Sequence, residues 1–374
     1  MWRVPTEVAT VDIAGDPYQR GAEYGALRRM EVQACLTAWI ESLRAAGIQN
    51  PNAHIAEMLR RTQFLSAIRE HCPDLLEEVR GIADGAEQTI ELLLGAQLMD
   101  EEWAYRARAA VALQQPEKCS SVAVRAGDAV LLGQNMDLGG YTGGHEVLLH
   151  LAPQGEQPGA LIFSISSMIA LLGVNDRRIG VCVNSIPQLP ASRTGLPVAF
   201  MVRKLLQVRT LAEAVELVQR LPHATSQHYL LADATSIRSF EASPKRVVEY
   251  SPPDATGVLH TNHPLAAPFA VDPPESINSA TRLNTLRRRL ASDTPDLKAV
   301  MAALSSTDDP EHPVSRTGGP INALTGMTSF TTGSMISELR LGSKNIESWV
   351  SAGPPSIHGY AHVSMPCARQ VSAT

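Results

Sequence analysis

The feature that most constrains this chain is a change of hydrophobic period close to residue 118. Ahead of it, from Pro17 to Ala46 and again from Ala53 to Ala104, apolar residues recur at helical spacing with few breakers. Ile55, Met58, Leu59, Phe64, Leu65 and Ile68 make one such stripe. Pro73, followed by Asp-Leu-Leu-Glu-Glu, opens a further helix, with proline at the start and carboxylates near the positive end of the helix dipole. Residues 114–118 (Gln-Gln-Pro-Glu-Lys) form a polar break. Beyond it the pattern becomes that of strands.

Ser120–Ala126 and Ala129–Gly133 are β-prone runs joined by Gly127-Asp128, which predicts a hairpin. Val147–Leu151, Leu161–Ile165 and Ile179–Val183 continue the series. Helix returns over residues 197–221, where Thr210 and Glu213 form a capping box and Pro222 marks the stop. Strands are expected at 228–232, 237–242, 246–250 and 257–261, followed by a proline-rich loop over 264–275. Helices near 279–291 and 296–304 precede two last strands, about 328–341 and 345–351, around a Gly342-Ser343-Lys344 turn. Runs of strands between blocks of helices predict an α+β layering, with helices packed outside sheets. The break near 118 is either a domain linker or a processing site.

Composition narrows the partners. The 374 residues suffice for one large domain or two ordinary ones, and a net charge of −6 argues against nucleic acid or an anionic membrane. The densest basic cluster, Arg287-Arg288-Arg289, reads as a solvated helix face. No apolar run reaches 18 residues, and Met1–Glu7 lacks the apolar core of a signal peptide. Cys35, Cys72, Cys119, Cys182 and Cys367 are odd in number and contain no CxxC pair, which predicts a reducing, cytoplasmic setting.

Cys119 stands at the break, at the start of the first strand. A lone cysteine is usually a small buried hydrophobe. Here it is followed, one hairpin later, by Gly133-Gln134-Asn135-Met136-Asp137-Leu138, so the Asn-x-Asp at the far end of the partner strand can meet it. This arrangement, Cys-Ser-Ser then Gly-Gln-Asn-x-Asp, resembles the acyl-coenzyme A:6-aminopenicillanic acid acyltransferase family (peptidase family C45) of N-terminal nucleophile hydrolases. The resemblance extends along nearly the whole chain. Pro73–Ala86 is similar to the family's helical segment before the cleavage point. Gly173-Val174-Asn175 through Gly180-Val181-Cys182-Val183-Asn184 is similar to its Gly-x-Asn…Gly-x-x-x-Asn strand pair. Thr261-Asn262-His263 matches its Thr-Asn-His motif, and Ser279-Ala280-Thr281-Arg282 its Ser-x-x-Arg helix start.

The resemblance implies a four-layer αββα sandwich built as one catalytic domain over residues 1–374. It implies self-cleavage between Lys118 and Cys119, giving a helical chain of residues 1–118 and a second chain, 119–374, that together form an α/β heterodimer. Cys119 is then the nucleophile, and its freed α-amine is the base. The amine's reference pKa of about 7.7–8.0 lies close to the thiol's, about 8.5, so no histidine, cofactor or metal is needed. Asn262 is implied as the oxyanion donor. Asp137 is expected to hold the new ammonium, Arg282 to pair beside the nucleophile, and Asn184 to contact the substrate. The implied substrate is a small N-acyl amide, cleaved through a cysteinyl thioester; transfer from an acyl-CoA to an amine is the alternative. Two positions depart from the family pattern: Lys118 stands where glycine commonly precedes the nucleophile, and Arg177-Arg178 occupies a turn where glycine is usual.

Three other chemistries compete. A Cys-His hydrolase could draw on His145, His150, His228, His260 or His263, but no papain- or caspase-type signature accompanies them. His260-x-x-His263 is not a helical HExxH, and no further ligand cluster supports a metal. Gly139–Gly144 lacks the Gly-Lys-Ser/Thr ending of a phosphate loop and reads as a mobile loop bordering the pocket. An unprocessed binding protein is the remaining alternative; retention of the matched polar residues counts against it.

Overall fold

The computed structural model describes residues 8–107, 119–252, 257–266, 269, 276–292, 294–319, 321 and 326–368. Strand β1 (Ala9–Ile13) precedes the helices α1 (Pro17–Leu27), α2 (Arg29–Ala45), α3 (Pro51–Arg61), α4 (Phe64–His71), α5 (Pro73–Gly85), α6 (Ile90–Gln97) and α7 (Met99–Ala107). After the break come β2 (Ser120–Ala126), β3 (Ala129–Gly139), β4 (Glu146–Leu151), β5 (Ala160–Ile165), β6 (Leu172–Asn175) and β7 (Gly180–Ser185). Helices α8 (Val198–Leu205) and α9 (Leu211–Arg220) lead to β8 (Gln227–Ala232), β9 (Ile237–Ala242), β10 (Val247–Glu249) and β11 (Gly257–His260). The chain closes with α10 (Ile277–Arg289), α11 (Leu297–Leu304), β12 (Ser329–Arg340), β13 (Asn345–Ala352), α12 (Pro355–His358) and β14 (Ala361–Pro366).

Local chemistry sets these boundaries. Thr210 splits the helical block expected over 197–221 into α8 and α9: its hydroxyl accepts from Glu213 N, and the Glu213 carboxylate reaches back to Arg209 N. Strand β3 runs on to Gly139, past the Gly133 expected from sequence. Its polar stretch is buried along its length, so the alternation that marks a half-exposed strand is missing. Strands β1 and β14 and helix α12 were not foreseen.

An eight-stranded sheet has the order β1-β4-β5-β6-β7-β8-β9-β10, and a six-stranded sheet the order β11-β2-β3-β12-β13-β14. On the outer face of the six-stranded sheet, Val122, Val124, Leu131 and Ile336 pack under Leu286, Leu290, Val300 and Leu304 of α10 and α11. The alternate residues Ala123, Val130, Leu132 and Met335 join a larger core with the eight-stranded sheet and the leading helices. The result is the α-β-β-α order of layers expected of an N-terminal nucleophile hydrolase.

The segment before the break is built into these layers. Strand β1 pairs with β4 in parallel register, from Ala9↔Val147 to Ile13↔Leu151. Arg20 of α1 and Arg203 of α8 both bond Glu78 of α5, at 2.6 and 3.2 Å, all three side chains almost fully buried. Gln97 donates to Ser167 O and accepts from Ile169 N, and Tyr24 Oη donates to Ser166 O.

Helices α1 and α5 cross with their backbones in contact. Gly21 and Gly25 of one helix face Gly81 and Gly85 of the other, and a Cβ at Gly21 would collide with the carbonyl of Glu78, one at Gly81 with that of Tyr18. Neither backbone can yield without disturbing the Glu78 ion group. Gly21→Ala and Gly81→Ala are therefore expected to destabilise the protein by about 2–4 kcal/mol each, measured as a shift in the urea midpoint.

Candidate active site

The β2–β3 hairpin positions the candidate nucleophile. Its register pairs Ser120 with Asn135, so Cys119, the residue before β2, lies beside Met136. The Cys119 thiol donates to Met136 Sδ at 3.4 Å and is 2% exposed. Each polar residue opposite has a separate structural partner. The Gln134 side-chain amide donates to Val183 O and accepts from Val183 N, a stitch between the two sheets. Asn135 Nδ2 donates to Leu304 O and Val314 O, tying the strand to the end of α11. Asp137 Oδ1 accepts from Thr331 Oγ1 of β12 at 2.6 Å.

Arg282 of α10 joins the candidate residues. Its Nη1 donates to Cys119 O at 2.6 Å and Ser120 Oγ at 2.9 Å, its Nη2 to Asn262 Oδ1 at 2.8 Å, and its Nε to Asn278 Oδ1 at 3.0 Å. Burial pulls the guanidinium down to about 10, while the Asp137 carboxylate and the Cys119 sulfur beside it hold it up. It stays cationic at neutral pH. An arginine only donates, so Asn262 must turn its oxygen toward Arg282. Its Nδ2 then points the other way and donates to Ser185 O at 3.0 Å.

Ser279 supports the Thr-Asn-His stretch from the first turn of the same helix. Its hydroxyl accepts from Asn262 N at 2.7 Å and bonds Thr261 Oγ1 and His263 Nδ1. Burial first, then neighbouring His260, Arg282 and Arg287, pull His263 down to about 4, so its ring is neutral at neutral pH. Both ring nitrogens of His228 are taken up, by Asn184 and Ser239, and both of His260, by Thr261 O and Glu241. These two histidines are committed to other groups, which weighs against a Cys-His pair built on either.

Two sequence expectations change. Asn184 lies between the sheets, its Oδ1 accepting from Ser121 Oγ at 2.7 Å and His228 Nδ1 at 3.0 Å, and not on the cavity wall. The strand alternation turns its neighbour Ser185 to the cavity instead. The stretch Gly139–Gly144 is no loose loop: Gly140–Thr142 form a 3₁₀ turn, Tyr141 and Thr142 are buried, and Thr142 Oγ1 bonds Gly139 O and Thr332 Oγ1. Lys118, the other half of the expected cleavage site, lies outside the described residues.

Cys119 opens onto a cavity of about 30 Å³, room for a water or two. Its walls are mostly apolar, with Met99, Met136, Met168, Val183 and Val202 among them, and its polar members include Asp100, Ser185 and Gln227. These last three also line a second cavity of about 20 Å³, whose other walls include Trp103, Pro187, Leu189 and Thr225. The two cavities thus adjoin across these three side chains.

Asp100 and Glu101 were missed by sequence reasoning, because Asp-Glu-Glu at the start of α7 reads as a first-turn dipole partner. Gln227 Nε2 donates to Asp100 Oδ2 at 2.5 Å. Glu101 Oε1 accepts from Val198 N and Thr225 Oγ1. Burial, and secondarily the charge of Asp100, push Glu101 up to about 8. The folded protein therefore retains a proton that the unfolded chain releases near the ordinary carboxyl range. The contribution of this group to stability falls as pH rises from that range toward about 8. Glu101→Gln is expected to flatten this decline, measured by urea midpoints between about pH 5 and pH 8.

A family model described as acyl-coenzyme A:6-aminopenicillanic acid acyl-transferase matches residues 124–323, a stretch that begins just after Cys119 and includes Asp137, Asn262 and Arg282. Among solved structures, the chain is similar to a mutant of the conjugated bile acid hydrolase from Clostridium perfringens, at 13% identity and a TM-score of 0.48, over 66% of this chain and 92% of that one. It is also similar to penicillin V acylase from Agrobacterium tumefaciens, at 16% identity and a TM-score of 0.33, over 63% of this chain and 82% of that one.

Proposed function

The chain belongs to the acyl-coenzyme A:6-aminopenicillanic acid acyl-transferase family, and from that premise we propose that it cleaves the amide bond of a small N-acyl compound through a thioester on Cys119. The observation that carries this reading is the Arg282 fork, which bonds the Cys119 carbonyl and the Asn262 side chain together at the edge of a largely apolar cavity.

In the proposed sequence the Cys119 thiol first attacks the carbonyl of Lys118. The peptide nitrogen leaves as the new α-amine, and water releases residues 1–118 from the thioester. The freed amine then takes the thiol proton as substrate binds. Sulfur attacks the substrate carbonyl, and its oxygen becomes an oxyanion, for which Asn262 Nδ2 is the proposed donor. Arg282 supports that role by fixing the orientation of the amide before charge develops. Collapse of the intermediate expels the substrate amine, which takes the proton from the α-ammonium. Water hydrolyses the thioester to free acid and regenerates the thiol. Asp137, held by Thr331, is the proposed counter-charge for the α-ammonium. Asn184, from its place between the sheets, is proposed to act on the substrate only indirectly, through the strand that carries Ser185.

The test is a panel of N-acyl amides and acyl-CoA thioesters, each with and without added amine, followed by mass spectrometry of products and of the Cys119 peptide. Free acid released from an amide without added amine, with an acyl mass on Cys119, supports the hydrolase. Product that forms only with acyl-CoA and amine together would establish the transferase instead. Turnover without acylation of Cys119 would overturn the mechanism.

A further inference from the structure

Resting on the reading of Asn262 as the oxyanion donor, we infer that His260 and Glu241 are positioning residues for the reaction, a buried pair that fixes the backbone from which the Asn262 amide reaches out. His260 ends β11 and Glu241 lies in β9, and both are fully buried. Neither lines the cavity at Cys119, so any effect they have on the chemistry passes through another residue.

The His260 ring acts on the peptide group that joins Thr261 to Asn262. Its Nδ1 lies 2.8 Å from Thr261 O, and a carbonyl only accepts, so that nitrogen carries the hydrogen. The N–H of the same peptide group, on Asn262, donates to Ser279 Oγ at 2.7 Å. The peptide group is thus held at both poles, and with it the Cα from which the Asn262 side chain departs. Arg282 Nη2, bonded to Asn262 Oδ1, sets which way the amide faces. The peptide group sets where it stands.

Glu241 clamps the turn that contains these residues. Its Oε1 bonds His260 Nε2 at 2.9 Å and accepts from Leu265 N at 2.6 Å, while its Oε2 accepts from Ala266 N at 3.2 Å. One carboxylate therefore grips the chain just before the Thr-Asn-His stretch and again just after it. His228 covers the face of the His260 ring, with centroids 3.6 Å apart and planes within 8°, and both its own nitrogens are bonded. These contacts fix the plane of the His260 ring. A shift of about 1 Å at a catalytic group costs about a hundredfold in rate, so a rigid support outside the cavity still bears on the chemistry. A pair that served the core alone would lower stability and leave the rate of the surviving protein unchanged.

The test compares His260→Gln, His260→Asn and Glu241→Gln on the N-acyl amide that the wild type turns over fastest. Glutamine puts its amide nitrogen where Nε2 stood, keeping Glu241 and losing Thr261 O; asparagine puts its nitrogen where Nδ1 stood and does the reverse. Rates are taken per reactive Cys119, counted by iodoacetamide labelling and peptide mass mapping. His260→Gln and Glu241→Gln should lower kcat by about ten- to a hundredfold, with KM within about twofold. His260→Asn should recover most of that loss. In an Asn262→Ala background none of the three should slow the reaction further, because the residue they position is gone. Full kcat in a folded His260→Gln, with Asn262→Ala impaired, overturns the inference alone, and so does an undiminished penalty in the Asn262→Ala background. Asn262→Ala at the wild-type rate, or a wild type that turns over no amide, overturns the reading of Asn262 and the inference with it. Urea midpoints are followed in parallel; loss of the folded state in all three variants would assign the pair to the core and overturn the inference as well.

Discussion

Cys119→Ala is expected to migrate as a single chain of 40.2 kDa and to turn over no amide, whereas the wild type separates on a denaturing gel. Under the proposed cut the fragments are about 13 and 27 kDa. Removing a covalent nucleophile that also performs its own maturation abolishes both steps together, and the loss in rate is about four to six orders of magnitude. The methyl group of alanine fits the space of the thiol in the wall near Met136, so the variant should fold with little change in its urea midpoint. Cys119→Ser retains a nucleophilic atom of poorer reactivity and should process slowly, so the two variants separate loss of the atom from loss of the fold. A wild-type chain that stays whole and is fully active would remove the α-amine from the mechanism and return a Cys-His hydrolase to consideration.

Arg282→Lys is expected to lower turnover by about a hundredfold or more while leaving the charge in place. Four acceptors surround the guanidinium: Cys119 O, Ser120 Oγ, Asn262 Oδ1 and Asn278 Oδ1. A lysine ammonium has three donors and no planar fork, so it cannot reach all four. Asn262 then loses the contact that holds its oxygen away from the oxyanion. Arg282→Ala is a harsher change, leaving several buried acceptors without a donor; it should cost about 3–5 kcal/mol of stability, read by urea titration. Normal folding of Arg282→Lys with full activity would show that the fork is not needed to orient Asn262.

How much of this was legible beforehand depended on whether local pattern or distant packing decided the outcome. The leading helices were legible because their apolar stripes repeat at helical spacing and Pro73 sits at a first-turn position. The β2–β3 hairpin was legible from Gly127, whose φ of +63° suits a glycine turn. The far half of β3 was not, since Gln134, Asn135 and Asp137 are polar yet buried, each with a partner distant in sequence. Strand β14 alternates between apolar and polar residues, but the run is only six residues long and owes its place to its pairing with β13.

At the site, the motif residues Cys119, Asn262 and Arg282 were named in advance, and the structure brings them together. Asn184 was named from the same resemblance, but a strand turns successive side chains to opposite faces, and a motif letter does not tell which face is the cavity. Asp100 carried no usable signal. Its position next to Cys119 follows from how α7 docks against β8, information that no short segment contains.

The parallel pairing of β1 with β4 has a consequence for the protein after any cut at residue 118. The leading piece supplies the terminal strand of the eight-stranded sheet, two partners of a buried ion group and part of the wall of the cavity at Cys119. The two pieces then behave as a fragment-complementation pair. Each leaves the other with an open sheet edge or an uncovered core, so separation on dilution is opposed by the same burial that holds the whole chain together. A gene divided at this point, with its two halves produced side by side, should reassemble a working protein in which Cys119 becomes first once its initiator methionine is removed, with no cut after residue 118.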